Sequence, residues 1–133
     1  MKKLLCLLLV DDDSIATFLN KGQLKKFGID GDIETAINGK DALTKIDHHF
    51  ISQNPCPQLL FLDINMPVMN GFEFLEEFNK LDRYKRDFIH IVALTSSDHG
   101  SDKIKMSGLG VKYYLTKPLN EEKLNKVFNE IDF

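Results

Sequence analysis

The chain alternates short apolar runs with stretches of helical spacing five times over, and that alternation restricts its fold more than any other feature. The runs are residues 4–10 (LLCLLLV), 58–62 (QLLFL), 88–94 (FIHIVAL) and 111–115 (VKYYL), with a weaker alternating stretch at 32–37 (DIETAI). Apolar residues at successive positions over so short a length suit strands buried on both faces. Between them, Ile15, Phe18, Leu19, Leu24 and Phe27 recur at helical spacing after Ser14, with Gly28 placed to cap the helix end. Asn38 can cap a helix carrying Ala42, Leu43, Ile46 and Phe50 on one side, and Asn70 another with Phe74, Leu75 and Phe78. Asn120, followed by Glu121 and Glu122, opens a last helix with Leu124, Val127, Phe128 and Ile131. Residues 97–108 carry few apolar anchors and make the weakest helix. With no repeat or linker between them, these alternations predict one α/β domain, a parallel sheet covered by helices on both faces.

The first run follows Lys2 and Lys3, as the apolar core of a secretion signal would. It ends, however, on Asp11, Asp12 and Asp13, a poor cleavage region, and is at the short limit for a signal. It reads as a strand, and the chain as cytoplasmic. No run approaches the roughly 18 residues of a membrane span. The net charge of −3 and the scattered lysines provide no footprint for nucleic acid. The 133 residues are one domain's length, enough to bury a core. Cys6 lies within the first run and Cys56 between two prolines, so they read as a reduced core thiol and a loop thiol. His48, His49, His90 and His99 lack metal-site spacing with those cysteines and read as surface or strand histidines. "NGKDA" (38–42) lacks the upstream glycine of a P-loop, and "GLG" (108–110) reads as a helix-ending turn. Phe72, Phe74 and Phe78 read as core, because no basic groove accompanies them.

In an open parallel sheet, ligands bind beyond the carboxyl ends of the strands. Past the first run come Asp11, Asp12 and Asp13; past the third, Asp63; past the fourth, Thr95, Ser96 and Ser97; past the fifth, Thr116, Lys117 and Pro118. Close carboxylates repel one another and hold protons unless a cation neutralises them. Magnesium suits that role, since it takes a few carboxylates together with waters and phosphate oxygens. One carboxylate can then attack phosphorus, while Lys117 and the Thr95 hydroxyl meet charge on the phosphoryl oxygens. The third aspartate leaves two registers. Asp11 and Asp12 are the first to emerge from the strand and Asp13 reads as a helix-start acid; the other register puts Asp13 in place of Asp11.

The combination "LVDDDS", "LLFLDINMPVMNG", "IVALTSS" and "YYLTKPL" resembles the receiver domain of bacterial two-component response regulators, over nearly the whole chain. The resemblance is to the single-domain members, chemotaxis-type or phytochrome-associated. It implies a flavodoxin-like five-stranded sheet of order 2-1-3-4-5. It further implies that Asp63 accepts phosphate from a kinase's phosphohistidine. Asp11, Asp12, Asp63 and the backbone carbonyl of Asn65 would bind Mg2+, with Mn2+ able to substitute. Lys117 would pair with the phosphoryl group, and Lys117–Pro118 is where the family carries a cis peptide. Thr95 and Tyr114 match the family's switch pair, with residues 97–108, the fifth strand and the last helix as output surface. Asn65 and Ser97 flank the site and are the positions expected to tune the phosphate lifetime.

Haloacid-dehalogenase-type phosphatases also use a strand-end aspartate, a hydroxyl, a lysine and magnesium. They place a second aspartate two residues after the nucleophile, where this chain has Asn65, and a late acidic pair where this chain has an early one. Phosphatase turnover on a small substrate is therefore the lesser reading, and the chain is expected not to be an enzyme with a turnover substrate. The stretch 46–58 is longer than in compact members of the family and could add a partner surface or a contact between two copies. With residues 1–133 read as one receiver and no output domain, action is expected through protein contact. The partners implied are a sensor histidine kinase, phytochrome-like by analogy, or a histidine phosphotransfer protein, and a downstream protein.

Overall fold

A computed structural model of the chain describes residues 6–29, 31–53, 56–96 and 100–131. In chain order the elements are β1 (Cys6–Val10), α1 (Ser14–Phe27), β2 (Asp32–Ala36), α2 (Gly39–Ile51), β3 (Leu59–Asp63), α3 (Gly71–Phe78), α4 (Arg83–Phe88), β4 (His90–Thr95), α5 (Gly100–Gly108), β5 (Tyr113–Thr116) and α6 (Glu121–Glu130). The five strands form one parallel sheet of order β2-β1-β3-β4-β5, the flavodoxin-like doubly wound arrangement. The chain leaves β1 for β2 on one side and then returns to place β3 on the other. The carboxyl ends of β1 and β3 therefore bound the crevice where the strand order reverses.

The period-2 alternation of strand side chains divides the core into two layers. Leu8, Val10, Leu60, Leu62 and Ala93 point into one, with Ala42 and Ile46 of α2, Phe74, Leu75 and Phe78 of α3, and Met106 of α5. Leu7, Leu9, Leu59, Phe61, Val92 and Leu94 point into the other, with Leu24 of α1 and Leu124 and Val127 of α6. All five residues of β1 and of β3 are buried, as strands covered on both faces must be. The predicted caps form as expected. Asn38, Asn70 and Asn120 each accept a backbone N–H at the start of a helix, and Gly28 ends α1 at φ 109°. Lys117–Pro118 is cis, and so is Cys56–Pro57.

Four features differ from the sequence reading. An additional short helix, α4, lies between α3 and β4; Asp82 caps it, and Phe88 and Tyr84 pack edge-on against Phe50. This is where the apolar end of the long second helix goes. The five apolar residues of α1 do not share a face. Leu24 and Phe27 turn inward, while Ile15, Phe18 and Leu19 are 70%, 76% and 58% exposed. At 100° per residue these two sets fall on opposite sides of the helix. Cys6 and Cys56 are not separate thiols but form a disulfide, with Cα atoms 5.6 Å apart. Their 50-residue separation hid a contact that the pairing of β1 with β3 makes local: Gln58 N–H donates to the Cys6 carbonyl at 3.0 Å. Finally, Asp63, Thr95 and Thr116 are the last residues of their strands rather than the first beyond them. Leu4, Leu5, Ser97 and His99 lie outside the described residues.

Candidate functional site

Asp11 leaves β1 with its backbone N–H still held by the Ala36 carbonyl at 3.0 Å, so it remains buried. Its Oδ1 accepts the Asp13 N–H at 2.9 Å, and its Oδ2 faces the Lys117 Nζ at 3.0 Å. Asp12, next along, is exposed. Asp13 caps α1, accepting from the N–H groups of Ile15 and Ala16, so its carboxylate is engaged there. The structure groups Asp11 and Asp12, rather than Asp13, with Asp63.

Lys117 reaches both carboxylates, with Nζ 3.1 Å from Asp63 Oδ1 as well as 3.0 Å from Asp11. Its backbone is fixed by an N–H bond to the Thr95 carbonyl at 2.7 Å, which ties the tip of β5 to that of β4. Thr95 is buried at the end of β4. Oxygens of Asp11, Asp12 and Asp63 lie within 4.8 Å of one another. Burial pushes the Asp63 carboxyl above its ordinary pKa, and the charges of Asp11 and Asp12 add to that against the opposing pull of Lys117. Burial alone would lower Lys117, but its bond to Asp11 and the charge of Asp63 raise it instead. An all-oxygen set of carboxylates held this close fits a small, hard divalent cation, and the acidic triad matches the Mg2+ site of a receiver. Asn65 is exposed two residues beyond Asp63, with no second carboxylate in that place.

The loop after Asp63 shows what residue patterns alone did not reveal. Gly71 begins α3 with its N–H on the Ile64 carbonyl at 2.8 Å, and a Cβ there would stand 2.8 Å from the Asp63 carbonyl oxygen. Only glycine permits so close an approach between helix start and strand end. Gly39 is pressed likewise against Met69, whose carbonyl it binds at 3.0 Å. Within this loop Val68 adopts φ 69°, unusual for a β-branched residue, and its side chain is exposed. The only written signal was the Asn70-Gly71 pair, a turn dipeptide as well as a cap. Tyr114 packs against the core beside α5, and its hydroxyl is placed to donate to the carbonyls of Lys103 (3.1 Å) or Val111 (3.0 Å).

A parallel sheet of this order, with three carboxylates and one lysine gathered at its carboxyl edge, defines a receiver-type signalling module. The chain belongs to the response regulator receiver domain family, whose model matches residues 7–129. It is similar to a two-component response regulator from Cytophaga hutchinsonii, with 29% identity and a TM-score of 0.88 over 97% of both chains. It is also similar to the bacteriophytochrome response regulator AtBRR, at 26% identity and a TM-score of 0.81 over 97% of this chain and 93% of that one. Protein PilG of Pseudomonas aeruginosa is 34% identical over 118 residues, 88% of this chain and 79% of PilG. The family places the chain in two-component signalling, whose partners include histidine kinases. Among the described residues, no helix is long and apolar enough to cross a membrane.

Proposed function

We propose that the chain is a phosphoacceptor response regulator in which Asp63 takes a phosphoryl group from the phosphohistidine of a sensor kinase. An Asp63 carboxylate oxygen forms the new bond to phosphorus, the nitrogen–phosphorus bond breaks, and the imidazole leaves with its electron pair. Hydrolysis later returns the free carboxylate and inorganic phosphate. The observation that supports this best is Lys117 held by both Asp11 and Asp63, an ammonium positioned beside the acceptor oxygen. Asp11, Asp12, Asp63 and the Asn65 carbonyl would hold Mg2+, or Mn2+ in its place. When bound, the cation supplies neutralising charge and orients the phosphoryl oxygens. Lys117 meets the negative charge on the transferred group, and the Thr95 hydroxyl hydrogen-bonds to it once it is in place.

Transmission follows from differential binding: a phosphoryl group that draws Thr95 toward Asp63 favours whichever state of the neighbouring β4–α5 region accommodates that movement. Tyr114, bonded to the α5 backbone, is placed to report it. The long second helix and the likeness to a bacteriophytochrome response regulator support a phytochrome-like sensor kinase as donor; a histidine phosphotransfer protein offers the same chemistry. A phosphotransfer profile against histidine kinases with Mg2+ tests the proposal. Label should appear on the wild-type chain and be absent from Asp63→Asn; transfer to Asp63→Asn at the wild-type rate would refute it.

A further inference from the structure

At the other end of the sheet from Lys117, four side chains of metal-binding type meet. Oxygen or sulfur atoms of Cys6, Cys56 and Glu34 lie within 4.8 Å of one another. Both oxygens of Glu34 are held by His49 Nε2, at 3.0 and 2.9 Å. The fold explains the meeting. Glu34 pairs with Leu8, so it projects from the same face of the sheet as Cys6, and α2 lays His49 across that face. Cys56 arrives on the segment leading into β3. Along β1, Cys6 lies five residues from Asp11, about 17 Å of strand, and Glu34, level with Leu8, lies three residues away, about 10 Å.

We propose that, with its cysteines reduced, this corner is a binding site for a thiophilic divalent cation, Zn2+ by the chemistry of its donors. Two thiolates and a carboxylate are three of zinc's usual ligands, and solvent fills the fourth tetrahedral position. His49 is the positioning residue: it orients the Glu34 carboxylate, as partners of metal-bound carboxylates do. A disulfide makes no use of a carboxylate braced by an imidazole; a metal does. Both cysteines are buried, whereas Glu34 and His49 border an open groove with His48 and Thr44 that provides a way in. Lys45 in the same groove is engaged elsewhere, with the Thr35 carbonyl and Asp41.

The disulfide of this structure is then the metal-free, oxidised form of the same site. Glutathione disulfide converts one to the other. The two cysteine sulfurs join, their two electrons and two protons from solvent produce two glutathione thiols, and the cation is released.

The test uses the full chain, reduced with a phosphine and kept in excess Mg2+ so that the carboxylates at the opposite edge are occupied. Titration with Co2+ should produce a thiolate-to-metal charge-transfer band that saturates at one equivalent and is displaced by Zn2+. Cys56→Ser should lose most of the band, and Glu34→Gln and His49→Gln should each weaken binding roughly tenfold or more. Far-UV circular dichroism confirms that each variant is folded. Full oxidation by glutathione disulfide should abolish the band. The proposal is overturned by a reduced chain without that band, by folded Cys56→Ser and Glu34→Gln variants that bind as wild type does, by a band competed away by Mg2+, or by one that survives complete disulfide formation.

Discussion

At the scale of single residues, the site is poised by one buried carboxyl. Burial disfavours the charged form of Asp63, and two neighbouring aspartates reinforce the effect. A folded-state pKa above the unfolded one means that the folded chain holds more protons across the interval between them. Rising pH through that interval therefore costs stability. Without divalent cations, Asp63→Asn should melt higher than wild type at pH 7, and the gap should close as pH falls through the same interval; thermal scans over a pH series check this. Lys117 is shifted in the same direction, but here it is the charged form that folding favours. Its raised pKa contributes stability below the ordinary lysine range that is lost as pH climbs through the folded value. Lys117→Met leaves Asp11 and Asp63 facing each other uncompensated. A loss of about 1–3 kcal/mol in urea denaturation at pH 7 is expected, partly recovered by added Mg2+.

At the scale of elements, α3 is positioned by its first turn. Asn70 and Glu73 form a reciprocal capping box, and Gly71 passes under the Asp63 carbonyl. Gly71→Ala should cost about 1–3 kcal/mol, because the new methyl meets backbone rather than a yielding side chain. It should also weaken Mg2+ binding, since the displaced backbone carries Asp63, the proposed acceptor. Asn70→Ala, which removes only the cap, should cost about 1 kcal/mol. The two faces of α1 make a contrasting case. Phe18 is apolar yet exposed, so Phe18→Ser should change stability by no more than about 0.5 kcal/mol, whereas Leu24→Ala should cost about 2–5 kcal/mol. Caps were legible in the sequence because they depend on residues three or four apart. The inward face of α1 was not, because two apolar sets on one helix look alike until the sheet takes one of them.

At the scale of the whole molecule, the proposed cation binding, phosphoryl transfer and output region would share the carboxyl edge of the sheet. Mg2+ bound only to the folded state should raise stability by about 2.7 kcal/mol at a hundredfold excess over Kd. Asp12→Asn should reduce that gain, with denaturation midpoints as the readout. α5 buries only Met106, so its opening costs little compared with β1 or β3. Beryllofluoride, a stable phosphoryl mimic, should change amide exchange in α5 and β5 and leave β1 unchanged. Identical exchange with and without it would remove the case for transmission along this path.

The order of strands and of every helix but α4, the caps of those helices, and the acids, hydroxyl and amine at the strand ends were present in the linear pattern. Each depends on periodicity or on neighbours a few positions away. The union of Cys6 with Cys56, the bracing of Glu34 by His49, the burial that raises Asp63 and the close pass of Gly71 were not. These depend on which strands lie side by side, and that is set only when the whole chain closes its two hydrophobic layers around one sheet.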